Sequence, residues 1–173
     1  MSRTGLEGVE DILPLSAVQS GMLYEAIAPD AAPGLYIGGV LAKLTGPLDP
    51  AGLRQAFETE VLSRDAYRVA LFWEGLKQPV QMVQTHLRVP WKTLDYSHLG
   101  KAEAEAKVTA LLQAERRKPL NLNAAPLMRF TLVKVSETEH RLLWIIHHLI
   151  SDGWSTGTVL QKCSHFGLSF RLA

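Results

Sequence analysis

The residues best placed to do chemistry are His147 and His148, which close a strongly apolar run and are followed after three residues by Asp152-Gly153. An imidazole titrates near neutrality, so it can take a proton in one step of a reaction and return it in the next. Side chains alternate along a strand. Leu142, Trp144, Ile146 and His148 therefore share one face, and Leu143, Ile145 and His147 the other. The pair cannot enter one space unless the strand ends or bulges there; one ring can face a channel while its neighbour packs inward. Asp152 sits four residues beyond His148, across a turn that Gly153 permits. Its carboxylate can bond nearby backbone or pair with an arginine, and either would lock the loop that holds His148. Zinc is a poor fit, because adjacent strand residues diverge and His86, His98, His140 and His165 are scattered away from ligand spacing. On spacing alone, satisfied core histidines remain an open reading.

Several elements must position that pair. Ser16 is a good N-cap for a helix carrying Met22, Leu23, Ala26 and Ile27 at helical spacing, stopped by Pro29 and Pro33-Gly34. Leu35 to Leu44 reads as a strand. Asp49-Pro50 starts a second helix, with Leu53, Ala56, Phe57 and Val61 on one face. Tyr67 to Trp73 and Val80 to Val83 read as strands around the Glu74-Gly75 turn. Lys101 to Arg117 is the clearest helix, rich in Ala, Glu and Lys and ended by Pro119. Leu127 to Val135 and His140 to His148 make a hairpin, and a last helix begins near Trp154 or Ser155. The order lacks strict βαβ alternation. The expected class is α/β or α+β, layered, with a mixed sheet flanked by helices.

Composition narrows the partners. The 173 residues are 47% hydrophobic and 20% charged, with a formal net charge of +1. Nothing in that balance points to nucleic acid or an anionic membrane. Arg116-Arg117-Lys118 reads as a solvated helix end complementing the dipole. A single cysteine, Cys163, forbids an internal disulfide and fits a cytoplasmic setting; no local base accompanies it as a nucleophile. Residues 161–173 continue no apolar stripe, so a truncation or frameshift is expected there.

The stretch His147-His148-Leu149-Ile150-Ser151-Asp152-Gly153-Trp154-Ser155 resembles the HHxxxDG signature of condensation domains from nonribosomal peptide synthetases. Leu13-Pro14-Leu15-Ser16-Ala17-Val18-Gln19-Ser20-Gly21-Met22-Leu23-Tyr24 is similar to the family's opening motif. Leu44-Thr45-Gly46-Pro47-Leu48-Asp49 resembles its G-x-L-D segment, and Pro119 to Arg129 the segment before the histidine hairpin. Arg64-Asp65-Ala66-Tyr67-Arg68 departs from the family's Arg-His…Leu-Arg pattern: the histidine is missing and the second arginine is displaced by one.

The resemblance implies a chloramphenicol-acetyltransferase-like lobe over residues 11–160, half of a two-lobed domain with a tunnel between the lobes. It implies amide formation between thioesters carried on the phosphopantetheine arms of peptidyl or aminoacyl carrier proteins, beside an adenylation domain. No cofactor or metal is expected on this chain itself. His148 is the implied base or amine-orienting group, Gly153 a backbone donor to a developing oxyanion, and Asp152 the lock on the loop. Arg64 or Arg68 is the implied partner of Asp152, His147 a packing residue, and Trp154 and Ser155 the start of the next helix. Half a tunnel positions nothing, so the isolated chain is expected to be inactive. Two other readings stay open: an acyl-CoA-dependent acyltransferase of the same superfamily, and a non-catalytic carrier-protein-binding remnant.

Overall fold

The computed structural model describes residues 7–151, 153–162 and 168–170. Asp152, Cys163 and the first residues of the chain fall outside that range. Two sheets carry the molecule. The smaller has the order β1-β4-β3 and is antiparallel throughout, with β1 at Val9–Pro14, β3 at Val69–Phe72 and β4 at Val80–Gln84. The larger has the order β5-β6-β7-β2-β8, with β2 at Ile37–Thr45, β5 at Trp91–Asp95, β6 at Met128–Lys134, β7 at Glu139–His147 and β8 at Leu168–Phe170. Among the described residues only the β5–β6 pair is parallel, so the large sheet is mixed, as expected.

Among the described residues four α-helices accompany these sheets: α1 at Ala17–Ala26, α2 at Pro50–Leu62, α3 at Lys101–Arg117 and α4 at Gly153–Lys162. Local chemistry sets their starts. Ser16 accepts from the Gln19 amide while the Gln19 side chain accepts from the Ser16 amide, a reciprocal capping box. Asp49 accepts from the Ala51 amide, with Pro50 in the first turn.

The period-two pattern of β7 divides the core. Leu143 and Ile145 face Ala104, Val108 and Leu112 of α3. Leu142, Trp144 and Ile146 face the main core with Leu53, Phe57 and Val61 of α2 and Val69, Leu71 and Val83 of the small sheet. Trp144 is the hub, stacked on Phe130 at 5.5 Å between ring centroids and met edge-on by Phe57 at 6.1 Å.

The structure differs from the sequence reading in several places. A 3-10 turn, Asp65–Tyr67, precedes β3, which is shorter than the expected Tyr67 to Trp73. Strand β7 ends at His147 rather than His148. Strands β1 and β5 went unread: most of their residues are exposed, so no alternating pattern marks them. The tail contributes the last two residues of α4 and also β8, which pairs with Ala42, Lys43 and Leu44 of β2.

Candidate active site

The histidine pair sits where β7 runs out. Its neighbour β2 aligns over nine residues, from Ile37 opposite His147 to Thr45 opposite Glu139. The His147 amide donates to the Leu127 carbonyl at 3.0 Å. One residue on, the His148 amide donates to the Tyr36 carbonyl at 2.8 Å, extending the ladder past both strand ends. The chain then turns. The Ile150 amide donates to the His147 carbonyl at 3.1 Å, and the Leu149 amide to His147 Nδ1 at 3.1 Å. Leu149 and Ile150 drop into the main core and anchor the turn.

The two rings therefore part, as alternation requires. His147 is buried, 3% exposed, and lies 6.4 Å from the Tyr36 ring. Burial, with the His148 charge as a second cause, pushes its pKa down to about 4. It is a neutral imidazole at pH 7, and because Nδ1 accepts a hydrogen bond, the proton is on Nε2. His148 is exposed. Its ring lies over Gly38, where a Cβ would come within 3.2 Å of Nε2.

Four residues that sequence reasoning did not single out hold this arrangement. Gln19 Nε2 donates to the Leu149 carbonyl at 3.0 Å and to Gln81 Oε1 at 3.2 Å, so one amide ties α1, β4 and the histidine turn together. The Ser16–Gln19 spacing of a capping box was its visible signal. Tyr36 has φ 59, an uncommon left-handed conformation for an aromatic residue, and its hydroxyl donates to Glu25. That hydrogen bond, first, raises the Tyr36 pKa, with burial and the Glu25 charge adding to it. No sequence signal marks Tyr36, since glycine or asparagine is the usual choice there. Finally, Ser151 Oγ and Thr156 Oγ1 lie 3.0 Å apart, bridging the turn to α4.

The remaining expected residues are placed as follows. Gly153, Trp154 and Ser155 are the first three residues of α4. Arg64 pairs with Glu60 at 3.0 Å and lies over the Tyr67 ring. Arg68 pairs with Glu10 and Asp65, each at 2.5 Å, and donates to the Gln84 carbonyl at 2.8 Å. Its Nε is buried without a partner among the described residues. The expected pairing with Asp152 lies outside those residues. Among them, no group of three His, Cys, Asp or Glu side chains is arranged to hold a metal ion, and no helix is long and apolar enough to cross a membrane.

The His148 imidazole is thus exposed on a pinned turn, carried by a mixed sheet with α2 and α3 packed against it. The Condensation domain family matches residues 9–169, and the chain belongs to that family. It is 33% identical over 161 residues to a component of the linear gramicidin synthase of Brevibacillus parabrevis, a match spanning 93% of this chain and 2% of that protein. It is 29% identical over 154 residues to bacitracin synthase 1 of Bacillus licheniformis, spanning 89% of this chain and 3% of that protein. The fold is similar to the starter condensation domain of rhizomide synthetase RzmA, with a TM-score of 0.77 and 21% identity over 89% of this chain and 36% of that one. A four-domain nonribosomal peptide synthetase bound to AMP and glycine matches with a TM-score of 0.78 at 18% identity, over 92% of this chain and 12% of that one. The chain thus spans a small part of its curated relatives and about a third of that condensation-domain structure.

Proposed function

We propose that this chain supplies the N-terminal, histidine-bearing lobe of a condensation domain that joins two carrier-bound aminoacyl or peptidyl thioesters through an amide bond. The observation that supports it best is the exposed His148 ring, on a turn fixed at the Tyr36 and Leu149 backbones, while its neighbour packs inward. The acceptor's α-amino nitrogen attacks the donor's thioester carbon. His148 takes the amine proton, the C–S bond breaks, and the proton passes to the departing thiolate of the donor arm. A placed base is worth about 10²–10⁴-fold, and holding two tethered reactants together adds an effective-molarity gain. The Gly153 amide, at the start of α4, faces the developing oxyanion in this reading, a contribution of about 3 kcal/mol.

Asp152 holds the turn, with Arg64 or Arg68 as its partner. Arg68 is the better candidate, because its buried Nε has no acceptor among the described residues. Phosphopantetheine arms come from partner carrier proteins in the cytoplasm, beside an adenylation domain. Residues 11–160 form the lobe. Val18 and Tyr24 on α1 are 67% and 78% exposed, an apolar face suited to a companion lobe. The 173-residue chain alone is therefore expected to lack turnover.

The test joins this chain to the remainder of a condensation domain and supplies loaded donor and acceptor carrier proteins. Dipeptide formation that falls at least 100-fold in His148→Ala supports the reading. Turnover unchanged by His148→Ala, or turnover by the 173-residue chain alone, counts against it. Acyl-CoA accepted in place of the donor carrier would favour the free-standing acyltransferase reading.

A further inference from the structure

His147 packs inward and carries a ring N–H donor. Its Nδ1 accepts from the Leu149 amide, so the ring proton sits on Nε2, and no described residue accepts it. The ring, 3% exposed, lines a cleft of about 570 Å³ between the end of α1, the loop into β2 and the segment before β6. Ala26, Ala31, Leu35, Trp73 and Leu122 form apolar walls, and none of the described lining residues is an acid, lysine or arginine. The walls are braced: the Leu71 amide donates to the Leu122 carbonyl at 2.7 Å, and Asn123 Nδ2 to the Leu71 carbonyl at 2.8 Å. The size falls within the range of small-molecule pockets. The polar side chains of the lining, Asn121, Asn123 and His147, are uncharged, so the cleft favours an uncharged ligand bearing an acceptor, since a carboxylate entering here would lose its water without gaining a cation.

We propose that this cleft binds an uncharged acyl group, its hydrocarbon chain along the apolar walls and its carbonyl oxygen accepting from His147 Nε2–H. The site is separate from the proposed chemistry at His148. The contrast lies elsewhere on the same molecule, where a cleft lined by Arg54, Arg88, Lys92, Lys118 and Arg129 with only Glu115 opposing would take an anion instead.

The probe is octanamide, with octanoate as the charged control, titrated into the 173-residue chain. Trp73 fluorescence reports filling of the cleft and ¹⁵N-imidazole NMR reports the Nε2 proton. Octanamide is expected to bind, to move the His147 Nε2 resonance, and to bind at least tenfold more tightly than octanoate. His147→Phe keeps the ring and removes the donor, and should weaken octanamide about threefold to tenfold, the usual worth of one hydrogen bond. Ala31→Leu narrows the cleft without touching His147 and should weaken it as well. The proposal is overturned if octanamide leaves the His147 resonance in place, if octanoate binds equally well, or if both variants bind octanamide as the parent does. The NMR result stands on the parent chain alone, whatever His147→Phe does to folding.

Discussion

Acid should weaken this fold through His147, and the size of the effect follows from its burial. The unfolded chain binds a proton on this ring at the ordinary value of 6.5, whereas the folded chain holds its pKa near 4 because burial, then the His148 charge, penalises the cation. Between those values the unfolded state carries more protons than the native one, so stability falls as pH drops through that window and is fully present above 6.5. The whole window is worth about 3 kcal/mol, and roughly 2 kcal/mol of it is spent between pH 7.5 and 5.0. For a chain of this length that is about 4–8 °C in Tm. His140, lowered chiefly by burial, adds to the slope in the same direction. The comparison that isolates His147 is urea unfolding of the parent and His147→Phe, followed by tryptophan fluorescence, at pH 7.5, 6.0 and 5.0. The variant leaves the Leu149 amide without its acceptor, which lowers its stability at every pH without tilting the curve. Measurement stops at pH 5.0 because Glu115, Glu139 and Asp95, all held below their ordinary values, begin to lose stabilisation below that point. In Glu115 burial works upward, and the hydrogen bonds from Lys118 and Arg129 overcome it. Parallel stability curves for parent and variant would refute the neutral, buried imidazole.

Other perturbations test the scaffold. Gln19→Leu should cost about 1–2 kcal/mol in urea unfolding, since it removes half of a capping box and the tie to the Leu149 carbonyl; an unchanged midpoint would deny that link. Phe57→Ala, at a fully buried ring between Phe130 and Trp144, should cost about 3–5 kcal/mol, with a loss under about 1 kcal/mol ruling out a packed hub. Gly38→Ala should move the His148 imidazole resonances in NMR while Gly39→Ala, on the opposite face, leaves them in place; identical His148 spectra in the two variants would contradict the packing of that ring. Val18→Lys with Tyr24→Lys should reduce self-association of the chain in sedimentation velocity, and no reduction would mean that the α1 face is not the sticky surface.

Much of this architecture was legible where local chemistry and packing agree. Helix α3 spans the residues its composition indicated, ended before Pro119, because good helix formers and the buried stripe of Ala104, Val108 and Leu112 favour the same boundaries. The division of β7 between two cores follows from alternation alone. The unread parts depend on partners distant in sequence. Strand β5 exists through its parallel pairing with β6, and β1 through its pairing with β4. The divergence of the two histidine rings was predictable, but the polarity of His147 was not, because the Leu149 amide that fixes its proton is set by the turn. Tyr36 shows the same limit: its carbonyl anchors His148 only because β2 and β7 align as they do, and its backbone conformation runs against its residue type.

Gly38 and Gly39 lie side by side on β2 with opposite neighbours: the His148 ring over one, and Leu112 and Arg116 of α3 against the other. At that point the slab separating helix from imidazole is bare main chain. A single added methyl on either residue would be felt at once by one of those neighbours, so this stretch of backbone is where the molecule has the least slack for drift.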